Sequence, residues 1–212
     1  LRAVISQLLL YTQYQPLIDE LLADITSASL KTISGDMRAI KYSAIAIYGS
    51  RSDFSLLLRL HNDTTDPHIK IDTADALTMT TDQDHIAILL LQLTKKELVK
   101  PQDIMRWFLG FMKNATARED AWLWMVQNWD YIMETFAGDK IYEAFPRYSA
   151  SNLNTRESYE AYRAFFDNKI SDIALRRVIE IGRRELDFRS KKIESDAPAV
   201  IAALQDVTIT QA

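Results

Sequence analysis

The stretch AWLWMVQNWDYI, residues 121–132, places three tryptophans and a tyrosine within twelve positions. On a helix of about 3.6 residues per turn, apolar residues spaced three or four apart form one continuous stripe. That stripe comprises Trp122, Met125, Val126, Trp129, Ile132, Met133 and Phe136. Rings that enclose a ligand converge from several elements, whereas these rings come from one helix. We therefore predict that they form the buried spine of a helix over residues 117–137.

The same three- and four-residue spacing of apolar residues runs along nearly the whole chain, which contains only five glycines and five prolines. This periodicity predicts an all-α protein. Pro16, Pro67 and Pro101 suit first helical turns, and the Thr-Thr-Asp sequences at 64–66 and 80–82 suit helix N-caps. The predicted helices cover residues 2–13, 16–31, 36–48, 51–62, 67–79, 83–93, 101–113, 117–137, 139–147, 155–168, 172–191 and 197–206.

Short helices joined by short connections favour an α-solenoid of stacked antiparallel helix pairs, similar to HEAT or armadillo repeats. A compact orthogonal bundle is the alternative that periodicity leaves open. No change in composition marks a second domain, so we predict one α-helical domain over residues 1–212. The opening LRAVISQLLL lacks an initiator methionine and already carries the apolar period, so we expect a fragment of a longer chain.

Composition excludes several classes of partner. A net charge of -4 and a pI near 5.4 argue against nucleic acid, which requires a concentrated basic surface. The longest apolar runs fall short of the roughly 20 residues that cross a bilayer, so we expect no membrane span. The absence of cysteine is typical of a reducing compartment, and we predict a cytoplasmic location.

The sequence contains no recognisable catalytic motif. The three histidines, His61, His68 and His85, form no His-Glu-x-x-His pair, and no Gly-x-Ser-x-Gly elbow or glycine-rich phosphate loop occurs. The basic residues of segment 174–192 alternate with Glu180, Glu185 and Asp187, which predicts a salt-bridged outer helix. We therefore expect neither a metal site nor catalysis by this chain alone.

Several local motifs nevertheless occur together in a specific order. They are the turn Pro101-Gln102-Asp103, the Arg118 helix with Ala121-Trp122 and Asn128-Trp129, and Leu153-x-Thr155 leading to Phe165-Phe166. In this combination the chain resembles the C-terminal helical (ERAP1-like) domain of the zinc aminopeptidase N family. The resemblance covers most of residues 36–192 and is closest to bacterial aminopeptidase N of the lactic-acid type.

The resemblance implies a role without catalysis. Members of this family remove N-terminal residues from peptides with a zinc held by His-Glu-x-x-His and a distant glutamate, in a domain upstream of the segment present here. The implied partners are that catalytic domain and the peptide substrates. The resemblance further implies that this chain encloses the chamber above the active site and controls peptide access. A free-standing helical-repeat scaffold for protein binding is the alternative, and the gene sequence upstream of residue 1 distinguishes the two.

The resemblance also implies candidate contacts with substrate. In some relatives, tyrosine and arginine side chains at this position in the domain meet the far end of the peptide. The corresponding stretch is GDKIYEAFPRYS, residues 138–149, and it supplies Lys140, Tyr142, Arg147 and Tyr148 as candidates. A cation there would pair with a peptide carboxylate.

Overall fold

The computed structural model describes residues 2–95, 97–137, 139–170 and 173–210, and every regular element within these ranges is a helix. The all-α prediction is therefore confirmed. The α-helices are α1 (Arg2–Tyr11), α2 (Gln15–Leu22), α3 (Ser27–Lys31), α4 (Gly35–Tyr48), α5 (Arg51–Asp63), α6 (Pro67–Leu77), α7 (Gln83–Gln92), α8 (Ile104–Lys113), α9 (Arg118–Gln127), α10 (Trp129–Thr135), α11 (Ala144–Asn152), α12 (Arg156–Phe166) and α13 (Ile173–Thr210). Short 3₁₀ turns cover Pro101–Asp103, Lys140–Glu143 and Asp167–Lys169.

The chain divides into two compact units, residues 1–121 and 122–212. In the first unit α4 contacts α2 and α6, α6 contacts α8, and α5 contacts α3, α4 and α6. This contact of alternate helices is compatible with stacked helix pairs. In the second unit α13 packs against α11 and α12. The single domain and the continuous superhelix stay predictions.

The predicted helix caps of the first unit are confirmed. The Asp66 carboxylate accepts a hydrogen bond from the His68 backbone N–H at 2.8 Å, and the Asp82 carboxylate accepts one from the His85 backbone N–H at 3.1 Å. These bonds hold the pKa of both carboxyls below the ordinary value for aspartate. Each aspartate satisfies a donor that the first turn of a helix leaves unpaired.

The tryptophan stripe is buried in the second unit, as predicted. Trp122 and Trp129 are only 4% and 8% exposed. The Trp122 ring lies 5.8 Å from the ring of Tyr162 and 5.8 Å from that of Phe165. Trp129 meets Phe165 and Phe166 edge-on at 5.7 and 5.5 Å. These rings join α9 and α10 to α12, in arrangements that stabilise beyond the area they bury.

The stripe does not lie on one continuous helix. Asn128 leaves the helical conformation, with φ -110° and ψ 22°, and separates α9 from α10. Its side-chain Nδ2 donates to the backbone carbonyl of Trp124 at 2.8 Å. An asparagine amide competes in this way with the backbone hydrogen bonds of a helix. The prediction of one unbroken helix over 117–137 is wrong for this reason.

Other predicted boundaries are also wrong. The helix expected over 139–147 is a 3₁₀ turn over Lys140–Glu143 followed by α11 over Ala144–Asn152. The helix expected over 16–31 is interrupted, because Asp24 adopts a φ of 53° and Thr26 caps the N-terminus of α3. Conversely, the separate helices expected over 172–191 and 197–206 belong to the single helix α13, which contains Pro198. An internal proline removes one backbone hydrogen bond and crowds the preceding turn. The helix nevertheless continues through Pro198, so a proline in a sequence does not by itself fix a helix end.

Gly182 allows α13 to lie against α11 and α12. A Cβ atom at this position would lie 2.6 Å from the Tyr162 hydroxyl oxygen and 2.8 Å from the Ala150 Cβ. Both distances are shorter than atomic contact permits. The glycine is therefore required by the close packing of three helices.

We predict that Gly182→Ala lowers the free energy of unfolding by about 1 to 3 kcal/mol, because the added methyl group overpacks this contact. Urea unfolding followed by circular dichroism measures the change. Gly35→Ala is the matched control, since no atom lies within 4 Å of the corresponding Cβ position. Equal stability of the two variants would contradict the close-packing account.

His61 is a buried polar residue of the first unit, 2% exposed. Its Nδ1 lies 2.8 Å from the Thr73 hydroxyl oxygen, and its ring meets Trp107 edge-on at 5.3 Å. The Lys70 ammonium donates to the His61 backbone carbonyl. Burial, followed by the nearby charge of Lys70, lowers the pKa of His61 to about 4. The imidazole is therefore neutral in the folded protein at pH 7.

Acid is predicted to destabilise the first unit through His61. The unfolded imidazole binds a proton near its ordinary pKa of 6.5, whereas the folded one binds it only near 4. The contribution of this group to the free energy of unfolding is fully present above pH 6.5, and it falls by about 3 kcal/mol on acidification to pH 4. Urea unfolding across this range measures the loss. Comparison with His61→Gln isolates it, and identical pH slopes for the two proteins would refute the assignment.

Candidate functional site

The four candidate residues fall on two adjacent elements of the second unit. Lys140 and Tyr142 lie in the 3₁₀ turn Lys140–Glu143, whereas Arg147 and Tyr148 lie on α11. Lys140 and Arg147 are exposed, and the two tyrosines are half-buried. The Asp139 carboxylate caps the turn by accepting from the Ile141 backbone N–H at 3.1 Å.

Arg147 lines a cavity of about 190 Å³ between α11 and α13. The other lining residues all come from α13, and they are Arg177, Val178, Ile181, Gly182 and Glu185. The other three candidates, Lys140, Tyr142 and Tyr148, are described by the structure but do not line this cavity. Arg147 is thus the one candidate that the structure places in this cavity.

The local sequence of α13 explains this lining. Positions 177, 181 and 185 are four residues apart and so lie on one face of the helix. Gly182, on the same side, brings that face close to α11. Sequence analysis assigned Arg177 and Glu185 to a salt-bridged outer helix and so missed their place in a cavity. The sequence feature that could have indicated this cavity is the position of Arg177 and Glu185 on either side of Gly182.

The salt-bridge prediction is correct for other residues of α13. Asp187 pairs with Lys191 at 2.7 Å and with Arg156 at 2.5 Å. The hydrogen bond from Lys191, and then that from Arg156, hold the pKa of Asp187 below its ordinary value. Arg189 donates to the Ala150 carbonyl at 2.6 Å.

The charged residues that line the cavity differ from Asp187 and Arg189 in their contacts. Within the described part of the chain, no hydrogen bond or ion pair engages the side chains of Arg147, Arg177 or Glu185. The cavity lining therefore combines two arginines and one glutamate with the aliphatic residues Val178 and Ile181. Guanidinium groups bind carboxylates through paired, charge-assisted hydrogen bonds. The six lining residues include no hydroxyl, thiol or imidazole.

A larger groove of about 520 Å³ lies between α5 and α7 in the first unit. Two contacts already occupy its lining residues: Arg51 pairs with Asp84 at 2.7 Å, and the His85 ring stacks on Phe54 at 3.8 Å. A ligand in this groove would compete with these contacts. The cavity of the second unit is therefore the better candidate site.

Neither a metal centre nor a membrane span is found in the described ranges. No group of three or more His, Asp or Glu side chains comes together there as metal ligands. None of the helices described is both long and apolar enough to cross a bilayer.

Comparison with known proteins identifies relatives of the chain. Residues 1–186 match the model of the ERAP1-like C-terminal domain. The chain is 31% identical to aminopeptidase N of Lactobacillus delbrueckii subsp. lactis over 181 residues, which are 83% of this chain and 22% of that protein. It is 33% identical to aminopeptidase N of Lactococcus lactis subsp. lactis over 143 residues, which are 68% of this chain and 17% of that protein. A puromycin-sensitive aminopeptidase of Caenorhabditis elegans is 23% identical over 172 residues, which are 79% of this chain and 18% of that protein. The matched segment thus spans about a fifth of each of these relatives.

Proposed function

This chain belongs to the ERAP1-like C-terminal domain family, and from that premise we propose that it is the non-catalytic C-terminal part of a zinc-dependent aminopeptidase that removes N-terminal residues from peptides. The match over residues 1–186 is the observation that carries the proposal. The names of the bacterial relatives support the aminopeptidase activity of the parent enzyme. In this proposal the zinc and its ligands belong to the upstream domain, and the parent enzyme works in the cytoplasm.

The proposed role of this part is to enclose the active-site chamber and to control the access of peptides. Exposed apolar residues support docking to another part of the enzyme. On α1, Val4, Leu8 and Tyr11 share one face and are between 61% and 86% exposed. On α13, Phe188 is 71% exposed. Apolar surface of this kind marks protein interfaces when it is contiguous.

The proposed contact with substrate is through Arg147, whose guanidinium has no ion-pair partner among the described residues and would bind the carboxylate at the far end of a peptide. Lys140, Tyr142 and Tyr148 remain candidates for the same peptide on the neighbouring surface. A charge-assisted hydrogen bond of this type contributes about 1.5 to 3 kcal/mol. It discriminates between peptides that end in a carboxylate and those that end in an amide.

Mixing the chain with a truncated parent enzyme tests the enclosing role. We expect the 212-residue chain, added in trans to the catalytic half, to bind it and to restore cleavage of peptides. Gel filtration measures binding, and release of N-terminal residues measures cleavage. A catalytic half that cleaves peptides fully without this chain, and does not bind it, would contradict the proposal and favour a separate scaffold.

The carboxylate contact is tested in the full-length parent enzyme. We expect Arg147→Ala to lower kcat/KM about tenfold or more for peptides with a free C-terminus, and to leave C-terminal amides unchanged. Arg184→Ala is the matched control, because Arg184 is exposed on α13 outside the cavity. Equal loss for both kinds of peptide would show that Arg147 does not contact the peptide carboxylate.

A further inference from the structure

The cavity between α11 and α13 carries an arrangement of charges that a peptide carboxylate alone does not explain. Arg147 and Arg177 are positive and Glu185 is negative, and no ion pair among the described residues joins any of them. From this arrangement we propose that the cavity binds a free α-amino acid with an aliphatic side chain. The inference concerns this chain alone and does not rest on the proposed function.

Each part of such a ligand has a matching group in the cavity. The two guanidinium groups of Arg147 and Arg177 receive the α-carboxylate through charge-assisted hydrogen bonds. The carboxylate of Glu185 receives the ammonium group. The aliphatic side chain lies against Val178 and Ile181, where it removes apolar surface from water.

The ammonium group distinguishes this ligand from other carboxylates. A simple fatty acid could pair its carboxylate with the two arginines, but it has no ammonium group for the carboxylate of Glu185. The C-terminal residue of a peptide offers only one uncharged amide N–H at the corresponding position. A zwitterion presents both charges and therefore satisfies Glu185 together with the arginines.

The size of the cavity limits the ligand to one residue. A volume of about 190 Å³ exceeds the roughly 150 Å³ cavity that accommodates benzene. It falls below the roughly 300 to 1,000 Å³ of pockets that hold drug-sized molecules. Leucine, isoleucine and valine fit this range, whereas a peptide of several residues would extend out of the cavity.

The consequence for the parent enzyme follows from the chemistry of the ligand. An aminopeptidase releases free amino acids, so under the proposed function the cavity would bind a member of the product class. Accumulated product would then bind to this domain as well. The binding itself can be measured without any catalytic partner.

The experiment is an NMR titration of the full 212-residue chain with L-leucine, following the side-chain Nε–H signals of Arg147 and Arg177. We expect both signals to shift with a common saturation curve. Leucinamide, which lacks the carboxylate, and isocaproate, which lacks the amine, should bind at least about tenfold more weakly. Absence of a saturable shift with L-leucine would overturn the proposal.

Variants test the roles of the individual charges. Arg177→Gln and Glu185→Gln should each weaken L-leucine binding about tenfold or more. Arg184→Gln and Glu180→Gln are the matched controls, since both residues are exposed on α13 outside the cavity and should leave binding unchanged. Circular dichroism verifies that all four variants retain their helix content.

N-acetyl-leucine separates a free amino acid from the end of a peptide. It keeps the carboxylate and the side chain but replaces the ammonium with an amide. We expect it to bind more weakly than L-leucine and to be insensitive to Glu185→Gln. The proposal is wrong if N-acetyl-leucine binds as tightly as L-leucine and Glu185→Gln changes the affinity for neither ligand. The cavity would then recognise a terminal carboxylate and not a free amino acid.

Discussion

The burial of Trp122 and Trp129 against the aromatic residues of α12 is the contact on which the second unit depends. Trp122 lies 5.8 Å from the Tyr162 ring, and the hydroxyl of Tyr162 in turn limits residue 182 of α13 to glycine. The close approach of the helices at Gly182 brings the face of α13 that carries Arg177 and Glu185 next to α11. The cavity beside Arg147 is thus a consequence of how the indole-rich segment packs, although no tryptophan lines it.

The charged residues of α13 divide into those that pair within the fold and those for which the described part of the chain supplies no partner. Asp187 is held by Lys191 and Arg156, and Arg189 donates to the carbonyl of Ala150. A group engaged in this way is a poor ligand site, because a ligand must first displace its partner. Arg177 and Glu185 have no such partner among the described residues, and the same is true of Arg184 and Glu180. What distinguishes Arg177 and Glu185 is their position in the lining of the cavity.

The sequence predicted the all-α fold and most helix starts because caps and periodicity are local. Asp66 and Asp82 could be identified as caps from neighbouring residues alone. The break at Asn128 was missed, since apolar spacing continues through it, whereas the break is visible in the backbone angles of Asn128 and in its side-chain bond to Trp124. The cavity was missed because it requires the long-range approach of α11 and α13. Of the four candidates carried over from the family resemblance, Arg147 alone lies in its lining.

The central claim is that the tryptophans are interior scaffold and not a ligand-binding surface. Fluorescence quenching by acrylamide tests it most directly, because all four tryptophans, at 107, 122, 124 and 129, are described and buried. The account predicts strongly blue-shifted emission that acrylamide quenches poorly in the native chain and fully in urea. Native emission that matches free tryptophan in water and is quenched equally well would contradict it.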